Sequence, residues 1–303
     1  MPHSLNSHQH PTRGILLFLT AFALFSISDA ASKLMGSLHV PPVQTAWLRY
    51  VVFVSIIGAV ALCTSGKVPL TSRRPPLQAL RAFGILGSSA FFIAGLQFLP
   101  MAEATAISFT TPLIVTALSI PLLGETVGLR RWAAVFIGLI GVLVVVRPGS
   151  GALDVYAIFP FLSSCSFATA LLMTRKMSEA DGPVVALLYA SVIGFVVLSV
   201  LVPFNWIAPS WEVLGLGLVT GVTSTAAQFL TVLAFRHAPA STLVPFSYSQ
   251  LIWSVVLGVL VFSNIPDMWT LVGAAIIIGS GLYTAHRERR LRLPPTVPAK
   301  PIP

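Results

Sequence analysis

"GLQFLPMAEATAISF" runs from Gly95 to Phe109, and "AFRHAPASTLVPFSY" runs from Ala234 to Tyr248, 139 positions later. Pro100 opens one apolar run and Pro239 the other, and Ser108–Phe109 falls on Ser247–Tyr248. Whether the whole chain is doubled depends on the hydropathy around these stretches. Of 303 residues, 55% are hydrophobic and 9% are charged, where a soluble domain carries about 25% charged residues. A hydrocarbon core about 30 Å thick takes roughly 20 apolar residues per helical crossing. Ten crossings read along the chain: 14–36, 43–63, 82–99, 102–123, 132–146, 155–174, 184–204, 213–235, 239–262 and 268–285. The expected fold is all-α and integral to the membrane, because a spanning helix satisfies its own backbone polar groups.

The connections are short and carry breakers: "VPP" at 40–42, "SRRPP" at 72–76, "RPGSG" at 147–151, "DGP" at 181–183, "NWIAPS" at 205–210 and "NIPD" at 264–267. Fifteen of the eighteen basic residues fall on the side of the termini, Arg147 alone lies on the other, and Lys33 and Arg49 sit inside helices. That asymmetry predicts cytoplasmic N- and C-termini. It also gives the net charge of +9 a reading as attraction to anionic lipid headgroups, with no nucleic-acid motif beside it. A cleavable signal peptide ending at "SDAAS", 28–32, would leave nine crossings and spoil the duplication, so the first helix is kept.

Shifting the first half by 139 residues lays helices 1–5 on helices 6–10, with "LRY" at 48–50 on "LLY" at 187–189 and Arg147 on His286. Identity is low, and the hydropathy register carries the match. Five crossings are an odd number, so the second half enters from the opposite side. Inverted repeats of this kind underlie many secondary transporters, with the binding site near the midplane between the halves.

"FLPMAEATAISFTTPL" at 98–113, "LLGE" at 122–125 and "GLIGVLVVVRPG" at 138–149 resemble the end of a first EamA repeat. "AFRHAPASTLVPFSYSQLIW" at 234–253 and "VFSNIPDMWTLVGAAIIIGSGLY" at 261–283 resemble the matching end of a second. The chain is thus similar to the ten-helix drug/metabolite transporter superfamily over roughly residues 12–288. One departure is Asn264, where that pattern usually has an acidic residue. The resemblance implies two EamA-like repeats, 12–147 and 152–288, followed by a basic, proline-rich tail at 289–303. It further implies a small-metabolite carrier of the bacterial inner membrane, with its cavity built by helices 1–4 and 6–9.

Asp29, Lys33, Arg49 and Glu103 lie in or at the edge of predicted hydrocarbon, where an unpaired charge costs at least ~2.5 kcal/mol. At ~1.5 Å per residue, Asp29 and Arg49 share a layer roughly 8 to 9 Å below the outer surface. Lys33 is one turn beyond Asp29, and Glu103 opens helix 4, where a helix N-terminus favours an anion. Under the 139-residue offset these four and Glu125 map to Ala168, Leu172, Leu188, Thr242 and Asn264, all uncharged. The expectation is that Asp29 and Arg49 line the outer end of the pathway and that Asp29 or Glu103 exchanges protons with substrate. The competing structural reading is an ion pair of Asp29 with Lys33 or Arg49.

Pro112 removes a hydrogen bond to the Ser108 carbonyl, and Pro245 does the same to Ser241. Freed carbonyls of this kind could accept from a polar substrate. Thr111, Tyr248 and Gln250 lie around these kinks, and Trp253 could stack on a flat or cationic substrate. Cys63 and Cys165 read as buried thiols, and small residues at Ala134/Gly138, Gly217/Gly221 and Ala275/Gly279 as packing faces or a homodimer seam.

No ATP-binding loop, zinc signature or dinucleotide fingerprint occurs, so neither an enzyme nor a cofactor is expected and energy comes from a gradient, with proton coupling as one candidate. The partners expected are a small-molecule substrate and membrane lipids. The favoured function is export of a small polar or zwitterionic, amino-acid-derived compound by alternating access, with an opine-type metallophore or an amino acid as examples. The alternatives are uptake of a cofactor-like metabolite of the S-adenosylmethionine or riboflavin type, and a non-transporting membrane sensor or lipid-handling protein.

Overall fold

A computed structural model describes residues 11–65, 72–123, 129–147, 153–176, 183–238 and 243–292. The first three crossings are α1 (Pro11–Ser37), α2 (Pro42–Ser65) and α3 (Pro75–Phe98). The fourth is divided into α4 (Met101–Ser108) and α5 (Thr111–Leu123), and the fifth is α6 (Leu129–Val146). A single turn, α7 (Leu153–Tyr156), leads into α8 (Ile158–Lys176), and α9 (Pro183–Leu201) runs on into a 3-10 turn, Val202–Asn205. The eighth crossing is α10 (Trp211–His237). The ninth joins a 3-10 segment, Val244–Tyr248, to α11 (Ser249–Phe262), and the tenth is α12 (Met268–Arg292). Among the described residues six helices are long and apolar enough to span a membrane, and four shorter apolar ones complete the ten.

Several boundaries differ from the sequence reading, two of them through proline. α3 begins at Pro75 rather than at residue 82, because prolines in the first turn start a helix whose leading N–H groups lack partners anyway. The fourth crossing is not one helix over 102–123. Pro112 lacks the N–H that would reach Ser108, so α4 ends there and the backbone restarts with the Leu113 and Ile114 amides donating to the Thr110 carbonyl.

Crossings 1, 5 and 9 are followed by left-handed residues that are not glycine: His39 (φ 61°), Arg147 (φ 49°) and Ser263 (φ 55°). The Ser263 and Asn264 amides donate back to the carbonyls of Val259 and Gly258 at 3.1 and 3.0 Å, giving carbonyls of the last turn of α11 donor partners.

Packing pairs each helix with the other half. α1 lies along α10, and its counterpart α8 lies along α3; α2 also touches α10 as α9 touches α3, and α1 meets α11 as α8 meets α5. α2 with α9 and α6 with α12 are pairs of equivalents. These contacts match one another with the halves exchanged, the mark of a pseudo-two-fold relation between them, while α3 also packs on α1 and α2 of its own half without an equal counterpart in the second. Phe109 and its counterpart Tyr248 meet edge to face, with ring centroids 5.0 Å apart, as residues beside such an axis do.

Small residues set the spacing. A Cβ on Gly273 would come 2.6 Å from the Gly141 carbonyl oxygen, so α6 and α12 approach as closely as backbones can. Gly217 and Gly221 pack on Leu48 and Val52 of α2, as their spacing suggested. Ala275 and Gly279 do not pack in this way: both are exposed, and the contact on α12 is made by Gly273. The Phe136, Ile137, Ile140 and Leu143 side chains of α6 face outward, as an apolar surface does towards lipid.

Candidate functional site

The sequence candidates divide into two groups along α1. Asp29, on the deeper turn, is 5% exposed and accepts a hydrogen bond from the Gln250 amide of α11 at 3.3 Å. Arg49, half-buried on α2, is near enough to act electrostatically on that carboxylate. Three candidates from three helices and both halves therefore converge on one layer. The ion pair of Asp29 with Lys33 or Arg49, the competing structural reading, is not formed, whereas Arg147 and Asp267 do pair directly. The reason lies in the direction of the Lys33 side chain. Its ammonium donates to the carbonyls of Leu96 and Leu99 at the end of α3, at 2.8 and 2.7 Å, and sits 5.5 Å from the Phe262 ring centroid.

Reciprocal bonds hold α1 in place at the residue next to Asp29. Ser28 Oγ donates to the Thr220 carbonyl at 3.1 Å, and Thr220 Oγ1 to the Ser28 carbonyl at 3.3 Å. One turn beyond Gln250, Ser254 of α11 joins hydroxyls with Thr105 of α4 at 2.8 Å. These bonds fix the rotation of α1 and α11, and hence the meeting of Asp29 with Gln250.

Glu103 belongs to a separate, outer group. It lies in the first turn of α4 and interacts electrostatically with Asp267, Arg147 and Lys33. Asp267 also accepts from the Thr270 amide and hydroxyl at 2.8 and 2.6 Å, capping the start of α12. Burial works against the charged form of Asp267, but the bonds from Thr270 and the Arg147 guanidinium outweigh it and hold the carboxyl below its ordinary range. The sequence reading missed Asp267 and Phe262. The signal available was Arg147 itself, the lone basic residue on its side, which implied an acidic neighbour there.

The kink residues fare differently. The Ser108 carbonyl freed by Pro112 is not open to a substrate, because Thr111 Oγ1 of the next turn donates to it at 2.8 Å and Ser164 Oγ of α8 at 3.2 Å. Hydroxyls have replaced the missing amide. Ser108 Oγ donates to the Ala104 carbonyl of its own helix. Pro245 lies in the 3-10 segment, and its expected carbonyl partner Ser241 lies outside the described residues. Tyr248 is 8% exposed in an apolar cluster with Phe109 and Ile277, its hydroxyl directed at Gly281. Trp253, 40% exposed, lies one turn beyond Gln250. Cys63 is exposed and Cys165 half-buried, so neither is the fully buried thiol expected from its apolar helix. Glu125 lies outside the described residues. No cluster of three metal-ligating side chains occurs among the described residues.

Ten helices in two interlocked repeats, with polar side chains from both halves meeting within the membrane layer, define a multi-pass membrane carrier. The chain belongs to the EamA-like transporter family, whose model matches residues 12–147 and again 155–284. It is a secondary transporter of the cytoplasmic membrane and not an enzyme. It is 28% identical over 278 residues to an S-adenosylmethionine uptake transporter of Rickettsia prowazekii, covering 91% of this chain and 94% of the relative. A riboflavin transporter of Vibrio cholerae is 27% identical over 291 residues, covering 93% and 95% of the two chains. A pseudopaline exporter of Pseudomonas aeruginosa is 26% identical over 271 residues, covering 88% and 93%.

Proposed function

We propose that the chain carries a small zwitterionic, amino-acid-derived metabolite, recognised between Asp29, Gln250 and Arg49. The observation that carries this reading is the state of Asp29. A carboxylate inside the membrane layer is costly unless it is paired, and here its direct partner is a neutral amide. A substrate ammonium on Asp29 and a substrate carboxylate on Arg49 would complete both groups. Because Asp29 and Arg49 stand on the first half and Gln250 on the second, relative movement of the halves would open and close that set, which suits alternating access. Asp29 is also the group proposed to exchange a proton when the substrate leaves.

Export is the direction favoured by the sequence reading, and the likeness to a pseudopaline exporter supports it. Uptake is the second reading, favoured by the likeness to an S-adenosylmethionine uptake transporter. The test is untargeted metabolite profiling of cells and medium in a deletion strain, its complement, and complements carrying Asp29→Asn or Arg49→Gln. For an exporter, a zwitterion accumulates inside the deletion strain and disappears from its medium; for an importer, it is depleted inside and left outside. Both variants should resemble the deletion. Parental transport by both would overturn the site, and a non-zwitterionic cargo would overturn the substrate class.

A further inference from the structure

Lys33 stands one turn from Asp29 towards the C-terminal end of α1, where it interacts electrostatically with Glu103 of the group that also includes Arg147 and Asp267. Its side chain does not turn back to Asp29. It extends sideways to the Leu96 and Leu99 carbonyls, at 2.8 and 2.7 Å, which a helix terminus leaves without amide partners. Phe262, near the end of α11, covers the ammonium with its ring at 5.5 Å, a cation–π contact strengthened where water is excluded. A bar from α1 to the α3–α4 turn thus lies beneath a ring supplied by the second half.

Three further features suit such a bar to moving. Both acceptors are neutral carbonyls, so releasing the ammonium leaves no buried anion behind. The cover comes from the opposite repeat, so a shift between the halves uncovers the bar. The equivalent position of the second half is Leu172, a fully buried aliphatic, so the other end of the bundle has no matching cation there. We propose that Lys33 is a bolt across the outer mouth of the pathway, closed in this conformation and withdrawn from the α3 carbonyls when the site opens outward. This rests on the carrier reading of the chain, though on no particular cargo.

The test reads access directly and needs no transported compound. Cys63 and Cys165 are replaced by serine, Gln250→Cys provides a thiol beside Asp29, and intact spheroplasts are treated with a membrane-impermeant maleimide. Lys33→Met should raise the rate of modification roughly tenfold, the order expected when charge-assisted hydrogen bonds that hold one state are lost. Lys33→Arg, which can still donate to both carbonyls, should stay near the parental rate. Phe262→Ala, which disturbs neither hydrogen bond, should raise it several-fold. Parental rates for both Lys33→Met and Phe262→Ala would overturn the proposal, as would a lowered melting temperature of Lys33→Met with unchanged labelling, which marks Lys33 as a helix cap alone. Failure to find a cargo would be a separate result, since labelling does not depend on one.

Discussion

Ser108 shows how a membrane helix tolerates proline. Its carbonyl loses an amide partner to Pro112 and gains two hydroxyls, Thr111 from the next turn and Ser164 from α8. Interhelical bonds in membranes are worth about 0.6 kcal/mol on average, so Ser164→Ala should lower unfolding stability by roughly that amount while leaving transport measurable; denaturation in detergent checks it. Asp267, outside the spanning segments, adds a pH dependence. A carboxyl whose folded pKa is depressed contributes stability that is present above its unfolded value, about 3.9, and is lost as pH falls through the lowered value. Acid titration of the parent should therefore show a destabilising step below about pH 4 that Asp267→Asn lacks. Asp29 and Arg49 are legible in the sequence as candidates because a charge inside an apolar run is conspicuous. Their relation to Lys33 is not, because a four-carbon side chain can turn towards any of several neighbours and only the position of the α3 terminus decides which.

The crossings themselves are legible in number and order, since apolar length is a direct consequence of bilayer thickness. Their ends are less so. Ser263 adopts φ 55° where glycine would cost least, and a serine in "VFSN" gives no sign of it. Ser263→Gly should relieve left-handed strain and raise stability by about 0.5–1 kcal/mol, read as a higher melting temperature in detergent. The packing of α6 on α12 was only half visible, because small residues recur throughout both helices and spacing alone does not say which ones face inward. Gly141 and Gly273 are the pair at closest approach, and Gly273→Val should separate the helices and sharply reduce folded protein, whereas Gly279→Ala on the exposed face should change little. Size-exclusion profiles of the two variants check this contrast.

At the scale of the whole molecule, the duplication was legible from the register of two short stretches, but the exchange of partners was not. Hydropathy places helices in the membrane without saying which neighbours they choose. The structure pairs α1 with α10 and α8 with α3, so neither half contains the surface that its own first helix needs. Residues 1–150 expressed alone should be degraded, and co-expression with residues 151–303 should restore both pieces; immunoblots of membranes from the two strains check it. The same exchange bears on synthesis. α1 leaves the ribosome nearly 200 residues before α10 is complete, an interval on the order of 10 to 40 seconds at ordinary elongation rates. Throughout it, Asp29 and Lys33 sit in a newly inserted helix whose later partners Gln250 and Phe262 do not yet exist, and for most of it Thr220 does not either. The nascent first helix is therefore the point at which an insertion chaperone would have most to shield and a membrane protease most to recognise.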